Sequence, residues 1–119
     1  MEYTDQEILE RNENIAKLIG VDINYSDSEY RDSRSFLRHK IDHLSKIEGL
    51  KFHSDWGWIM DTVDYVRSFN DVIGIEIIFS LGIIVKIRFG GEWHFYESVE
   101  PIEPIWLAIS DFAEWRIKN

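Results

Sequence analysis

The sequence contains no cysteine and no apolar run of the length that a membrane helix requires. Without cysteine the chain can form neither disulfides nor thiolate metal sites, and it fits a reducing compartment. A membrane helix needs about 18 to 20 consecutive apolar residues, so no membrane contact is expected. The N-terminal stretch MEYTDQEILERN is acidic and lacks the apolar core of a secretory signal. We therefore expect a cytoplasmic protein.

Basic residues are scarce as well. The 13 lysines and arginines face 22 aspartates and glutamates, giving a net charge of −9, which disfavours direct binding to phosphate backbones. The charge is uneven, because residues 1–29 carry 8 acids and 2 bases, residues 30–53 carry 3 acids and 6 bases, and residues 54–119 carry 11 acids and 5 bases. An acidic body with one basic stretch suggests a protein partner with a positive surface, although solubility is the more ordinary cause of acidity.

The apolar content is high enough for a folded core. Apolar residues make up 45% of the chain and aromatic residues 14%, which exceeds what disordered segments carry. A chain of 119 residues is long enough for one hydrophobic core and too short for several. We expect a single domain over residues 1–119.

Capping signals and helical spacing predict the first half of the chain. Thr4 and Glu7 form a capping box, and the helix that they start should run over about residues 5–19 and stop at Gly20. Residues 21–34 are polar and turn-prone, so they predict a loop. A second helix is predicted up to residue 49 from apolar positions at helical spacing, namely Phe36, Leu37, Ile41, Leu44 and Ile47.

The stretch FHSDWGWIMDTVDYV, residues 52–66, predicts a third helix capped by Ser54. Its apolar positions form two stripes, one containing Trp56 and the other Trp58. The two tryptophans should point in different directions, and both should be buried, because so apolar a helix must be covered on two sides. One stripe should meet the sheet, and the other a second helix, the loop or another subunit. The full stripes are Trp56, Ile59, Met60, Val63 and Val66, and Trp58, Thr62, Tyr65 and Phe69.

Three alternating apolar runs predict a β-meander between residues 73 and 95. Three-residue loops, 80–82 and 90–92, keep all the apolar positions on one face of the sheet and place Glu76 opposite Lys86. This register turns His94 and Tyr96 outward, beside Arg88 and Lys86. A closing helix should run from about Pro104 to Ile117, with a buried stripe of Ile105, Ala108, Ile109, Phe112 and Trp115.

These elements predict an α+β fold of the order α-loop-α-α-β-β-β-α, in which helices pack on one face of a three-stranded antiparallel meander. The sequence contains no P-loop, no dinucleotide fingerprint and no nucleophile elbow. We expect no cofactor.

Histidines supply the candidates for chemistry. His39 and His43 lie four residues apart, as zinc ligands on a helix do, but no further ligand is evident and we expect no metal site. His53 precedes the tryptophan helix, where an imidazole could act as a base or bind an anion, or could simply order the loop. No pair of titratable groups combines suitable chemistry with expected proximity, so we expect a protein that is not an enzyme.

Three segments, KFHSDWGWIMDTVDYV, NENIAKLIG and WLAISDFAEW, resemble a family of small uncharacterised proteins encoded in bacterial and bacteriophage genomes. The specific part of the resemblance is a helix of the form S-x-W-x-W-[ILM]-M-x-x-V. The basic stretch 31–51 and the acidic first helix depart from the family pattern. The resemblance implies a phage or prophage product acting in the bacterial cytoplasm, where such proteins often inhibit host defences, as anti-CRISPR proteins do.

The sequence thus leads to a hypothesis of a non-catalytic inhibitor that binds a host protein or ribonucleoprotein through acidic surface. The expected protein contacts are Glu7, Glu10 and Glu13, and the expected RNA or anion contacts are Arg34, Arg38 and Lys40 within residues 31–51. The alternatives are a sponge for a nucleotide signal and an interaction domain of another kind. Both a monomer and a homodimer are compatible with the sequence.

Overall fold

The structure is a computed structural model that describes residues 3–19, 50–67 and 74–119. Within these residues lie three helices, α1 (Asp5–Leu18), α2 (Trp56–Val66) and α3 (Glu103–Lys118), and three strands, β1 (Gly74–Phe79), β2 (Ile83–Phe89) and β3 (Glu92–Ser98). The strands form one antiparallel sheet in the order β1-β2-β3. The predicted α+β fold is confirmed.

Helix α1 begins as the sequence predicts. Glu7 N–H donates to Thr4 Oγ1 over 3.1 Å, and the Glu7 carboxylate accepts in return from the Thr4 backbone, which completes the capping box. The apolar side of α1 packs along α3 and buries Ile15 and Leu18. The amphipathic pattern therefore places α1 on the outside of the helix layer, as expected.

The start of α2 differs from the prediction. Asp55, not Ser54, is the N-cap, and its side chain accepts from Trp58 N–H over 3.1 Å. Both Ser54 and Asp55 donate their backbone N–H to the carbonyl of Lys51, so a turn occupies residues 51–54 and delays the helix. The tryptophans point in different directions, as predicted, but only Trp58 is buried, at 4% exposure. The predicted burial of Trp56 is wrong, because this side chain is 40% exposed.

The first hairpin follows the predicted register. Phe79 pairs with Ile83 across a three-residue loop, and Glu76 stands opposite Lys86. This register keeps Ile83, Val85 and Ile87 on the buried face of β2.

The second hairpin contradicts the predicted loop. Arg88 pairs with Trp93, so the connection is the two-residue turn Gly90-Gly91 and not a three-residue loop. Both glycines have positive φ, +62° and +80°, as the type I′ turn favoured by right-twisted hairpins requires. The geometry of the turn therefore determines the register, even though this register does not keep all the apolar residues on one face of the sheet.

The shorter turn reverses the faces of β3. His94 and Tyr96 point toward the helix layer and are half-buried, whereas Trp93 and Phe95 lie on the opposite, outward face at 44% and 64% exposure. The predicted outward positions of His94 and Tyr96 are wrong. His94 instead stacks on Phe89, with ring centroids 3.9 Å apart.

Helix α3 covers the inward face of the sheet, and α1 and α2 pack on α3 in turn. Four members of its predicted stripe, Ile105, Ala108, Ile109 and Phe112, are fully buried, while Trp115 is half-buried. Trp106 is also fully buried, which the stripe did not predict. Pro104 lies in the first turn, as expected.

Several predicted features lie outside the described residues. They are the stop at Gly20, the loop over residues 21–34, the helix ending near residue 49, and Phe69 of the second tryptophan stripe.

Candidate functional site

The expected protein contacts lie on α1, and each also has a partner within the helix. Glu7 belongs to the capping box, Glu10 accepts from Gln6 Nε2 over 2.9 Å, and Glu13 lies 3.4 Å from Lys17 Nζ. Glu7 and Glu10 are exposed, while the Glu13 side chain is 33% exposed. Their carboxylates are thus accessible from solvent, and only Glu7 combines its charge with a role in starting the helix.

The expected RNA or anion contacts, Arg34, Arg38 and Lys40, lie outside the described residues, as do His39 and His43. Their assignments remain predictions.

A buried polar cluster joins α1, the turn before α2, and α3. Trp106 Nε1 donates to Asn12 Oδ1 over 2.9 Å, and Asn12 Nδ2 contacts both the Leu50 carbonyl, at 3.3 Å, and His53 Nδ1, at 2.9 Å. Because the indole can only donate, Asn12 Oδ1 must accept and Asn12 Nδ2 must donate. His53 Nδ1 is therefore the acceptor, and the imidazole proton lies on Nε2.

This arrangement assigns His53 a structural part. Burial lowers the pKa of His53, so the fold favours the neutral ring. A proton on His53 Nδ1 would point at the amide hydrogens of Asn12 Nδ2. The Asn12 side chain cannot rotate to offer its oxygen instead, because Asn12 Oδ1 is needed to accept from Trp106 Nε1. The geometry supports the interpretation in which His53 orders the loop before α2.

A second polar cluster ties α1 to α3 and to the sheet. Arg11 Nη1 donates to Ser110 Oγ over 2.7 Å and to Asp111 Oδ1 over 2.8 Å, while Tyr96 donates its hydroxyl to Asp111 Oδ2 over 2.7 Å. The Arg11 guanidinium also lies 5.6 Å from the centre of the Trp106 ring. Burial, together with the bond to Asp111, raises the pKa of Tyr96. Both oxygens of Asp111 are engaged, which suits a cross-link better than a catalytic base.

A cavity of about 290 Å³ opens where the β2-β3 hairpin meets the end of α3. Glu114 on its wall accepts from Lys118 Nζ over 2.7 Å, and this bond lowers the pKa of Glu114. The charged groups of this cavity are thus already engaged, Glu114 with Lys118 and Asp111 with Arg11 and Tyr96 outside the lining. Its lining residues are Phe89, His94, Asp111, Glu114, Trp115, Lys118 and Asn119.

The outward face of the sheet carries a further hollow of about 260 Å³, which is lined by Glu76, Lys86, Trp93 and Phe95. Lys86 Nζ lies 6.0 Å from the centre of the Phe95 ring, within the range of a cation–π contact. The outward face thus carries both exposed aromatic rings and cations. The predicted register places the aromatic residues on one face of the sheet and the cations on the other.

The residues expected from the sequence did not include Arg11, Asn12 or Asp111. Asn12 carried a signal, because it follows Ile8 by four residues and precedes Ile15 by three, so it occupies a position in the apolar stripe of α1. A polar residue at such a position predicts a buried hydrogen-bonding group. The contacts of Arg11 and Asp111 span 100 positions in the sequence, and no local pattern announces them.

Within the described ranges there is no group of three or more histidine or acidic side chains placed to hold a metal ion. The helices described there also include none that is long and apolar enough to cross a membrane. Comparison with protein families, curated proteins and solved structures finds no match to the chain.

Proposed function

We propose that this protein is a non-catalytic binding protein that engages a partner with a basic surface through the acidic side of α1. The observation that carries the proposal is the accessibility of the Glu7 and Glu10 carboxylates, with Glu13 partly accessible beside them. Acidic side chains on a protein of net charge −9 accelerate association with a positive surface and select against acidic competitors.

The partner proposed here is a host nucleic-acid-handling protein of a bacterial defence system, such as a CRISPR effector. The acidic charge supports it, because it complements a nucleic-acid channel. The expected resemblance to bacterial and bacteriophage proteins rests on the sequence motifs alone, since no family model matches the chain. In this proposal the protein acts in the cytoplasm, and Arg34, Arg38 and Lys40 contact RNA held by the effector.

A binding function without catalysis also agrees with how the described titratable side chains are used. Asp111 is shared by Arg11 and Tyr96, and His53 accepts from Asn12. Hydrogen bonds of this kind support the packing of the helices, so the structure gives Asp111 and His53 a structural part.

The test is affinity capture of a purified CRISPR effector complex by the tagged protein, compared between two variants of equal charge. The variant Glu10→Lys/Glu13→Lys reverses the proposed surface, and Asp64→Lys/Glu92→Lys makes the same change in net charge elsewhere. Glu7 is changed to Gln in a separate variant, because glutamine keeps a capping box while removing the charge.

We expect loss of capture with the α1 variant and retention with the control. Equal capture by both double variants would show that only net charge matters and would remove α1 as the contact surface. No capture by the unchanged protein would refute this partner.

A further inference from the structure

The two-residue turn places an aromatic pair on the open face of the sheet. Trp93 and Phe95 are two residues apart on β3, so both point outward, and both are substantially exposed. The Trp93 indole reaches across β2 to Gly74, where an added Cβ would lie 3.2 Å from Trp93 Cη2. The glycine thus makes room for the ring to lie on the strands, which holds it as a flat platform.

Two cations stand beside this pair on the central strand. Lys86 lies opposite Phe95 and Arg88 opposite Trp93. Neither has a carboxylate within ion-pair distance among the described residues, in contrast to Arg11, Lys17 and Lys118. The Nε of Arg88 is buried and has no acceptor within the described part of the chain. Because the Nε is enclosed, Arg88 can meet an external anion only through its terminal nitrogens, whereas Lys86 lines the open hollow directly.

The hollow is lined by Glu76, Lys86, Trp93 and Phe95, with Arg88 outside its lining, and it suits a small planar ligand. Its volume of about 260 Å³ lies just below the usual range for drug-sized ligands, about 300 to 1,000 Å³, and it is lined by both aromatic rings. Glu76 lies at its wall next to Lys86 and can accept a hydrogen bond. A carboxylate in such a place selects a heterocycle that carries an amino group, as glutamate does with cytosine.

We propose that the outward face of the sheet binds a nucleobase with its phosphate, the base stacking on Trp93 and Phe95 and the phosphate meeting Lys86 and Arg88. The ligand is a free nucleotide or an unpaired stretch of single-stranded nucleic acid, which share this chemistry. Stacking supplies most of the affinity, because only two cations contribute and the rest of the protein is acidic. The site does not depend on the acidic face of α1.

A second copy of the chain fits this face less well. Lys86 lies on the central strand in the middle row of the outward face, between Glu76 and Phe95. A face-to-face pair with its twofold axis through this point would bring the two Lys86 ammonium groups together, and like charges directly opposed are unfavourable. Beside a phosphate, by contrast, the positive charge of Lys86 makes a favourable electrostatic interaction.

The experiment measures fluorescence anisotropy of labelled single-stranded oligonucleotides of each base at low ionic strength, with the intact protein. Phe95→Ala should weaken binding by about 5- to 150-fold, the range found when a stacking aromatic is removed. Phe79→Ala is the matched control, since Phe79 is 67% exposed and Phe95 64% exposed, and it should leave binding unchanged. Trp93→Ala is the second variant, checked by circular dichroism because the ring packs on Gly74.

Charge variants test the anion contact. Lys86→Gln should weaken binding and reduce the salt slope by about 0.7, the value for one phosphate contact on a single strand. Glu76→Ala, which removes the acceptor, should abolish a preference for cytosine, adenine and guanine over thymine. A duplex of the same sequence should bind more weakly, because its bases are paired and stacked.

Competition by mononucleotides distinguishes the two sources. Displacement of the oligonucleotide by a nucleotide at similar affinity identifies a free nucleotide as the ligand, and a requirement for several linked nucleotides identifies a strand. The proposal is overturned if no probe binds at low ionic strength, or if Phe95→Ala and Phe79→Ala bind alike. It is equally overturned if Trp93 and Phe95 prove to be needed only for capture of a protein free of nucleic acid.

Discussion

Trp56 and Trp58 are two residues apart in one helix and have different environments. Trp58 is buried at 4% exposure and meets Phe52 edge-on, with ring centroids 5.2 Å apart, while Trp56 is 40% exposed. Of the two tryptophans in the Trp-Gly-Trp motif, Trp58 should therefore contribute most of the stability.

We expect Trp58→Ala to lower the free energy of unfolding by about 3 to 5 kcal/mol, since it removes a large buried aromatic side chain. Trp56→Ala should cost roughly 1 kcal/mol, because its ring is already in partial contact with water. Urea denaturation followed by circular dichroism measures both, and Trp56→Ala is the control. Equal losses for the two variants would contradict the assignment of the larger energetic part to Trp58.

His53 makes stability depend on pH. Its pKa is lowered in the folded protein by burial, so the unfolded chain binds a proton more readily than the folded one. The stability that neutral His53 contributes is complete above the unfolded pKa of about 6.5 and is lost as the pH falls through the folded pKa.

We predict that the melting temperature falls as the pH is lowered below about 6.5, and that His53→Ala reduces this dependence. His94→Gln is a suitable control, because His94 stacks on Phe89 outside the Asn12 cluster. Thermal melts across this range test the prediction. A pH dependence in His53→Ala identical to that of the parent would contradict the assignment.

At the scale of elements, each hairpin needs a glycine in its loop for a different reason. A Cβ on Gly82 would lie 2.5 Å from the backbone oxygen of Ser98, which cannot move without disturbing β3. A Cβ on Gly91 would meet nothing within 4 Å, although the residue has φ +80°. The first glycine is needed for close approach and the second for backbone conformation.

Gly82→Ala should consequently destabilise the protein by more than Gly91→Ala, whose cost should be about 1 to 2 kcal/mol, the strain of a left-handed residue. Gly91→Asn should cost less than Gly91→Ala, because asparagine tolerates positive φ. Chemical denaturation of the three variants gives the ranking. If Gly91→Ala proved the most harmful, the two-residue turn would be in doubt, and with it the outward position of Trp93 and Phe95.

At the scale of the whole molecule, Asp111 connects the helices to the sheet. Its carboxylate accepts from Arg11 of α1 and from Tyr96 of β3, while its backbone belongs to α3. The site is partly open, with Arg11 and Asp111 side chains 29% and 34% exposed, so solvent screens the charge interaction.

We predict that Tyr96→Phe costs about 1 to 2 kcal/mol, since hydrogen bonds to charged groups contribute about 1.5 to 3 kcal/mol and this one is partly solvated. Asp111→Ala should cost more, because it removes the acceptor of the Tyr96 hydroxyl and the carboxylate partner of Arg11, which keeps only Ser110 Oγ. A double-mutant cycle between these two positions measures the coupling. A coupling energy near zero would argue that the Tyr96 bond contributes nothing to stability.

The helices were the part of the fold most open to prediction. The Thr4–Glu7 capping box and the stripe of Ile105, Ala108, Ile109 and Phe112 depend on residues within one or two turns, and the structure confirms both. Local sequence contains all the information that such features need. The cap of α2 was misplaced by one residue, because the preceding turn at residues 51–54 competes for the same backbone groups.

The sequence by itself determined the α+β class, the meander, the first hairpin register and the acidic charge. Only tertiary structure decided which face of β3 is buried, because the apolar pattern favoured a three-residue loop while the twist of the strands favoured Gly90-Gly91. A change of one residue in the loop turns every later side chain to the other face. That reversal brought Tyr96 to Asp111 and left Trp93 and Phe95 in solvent, where the proposed nucleotide site lies.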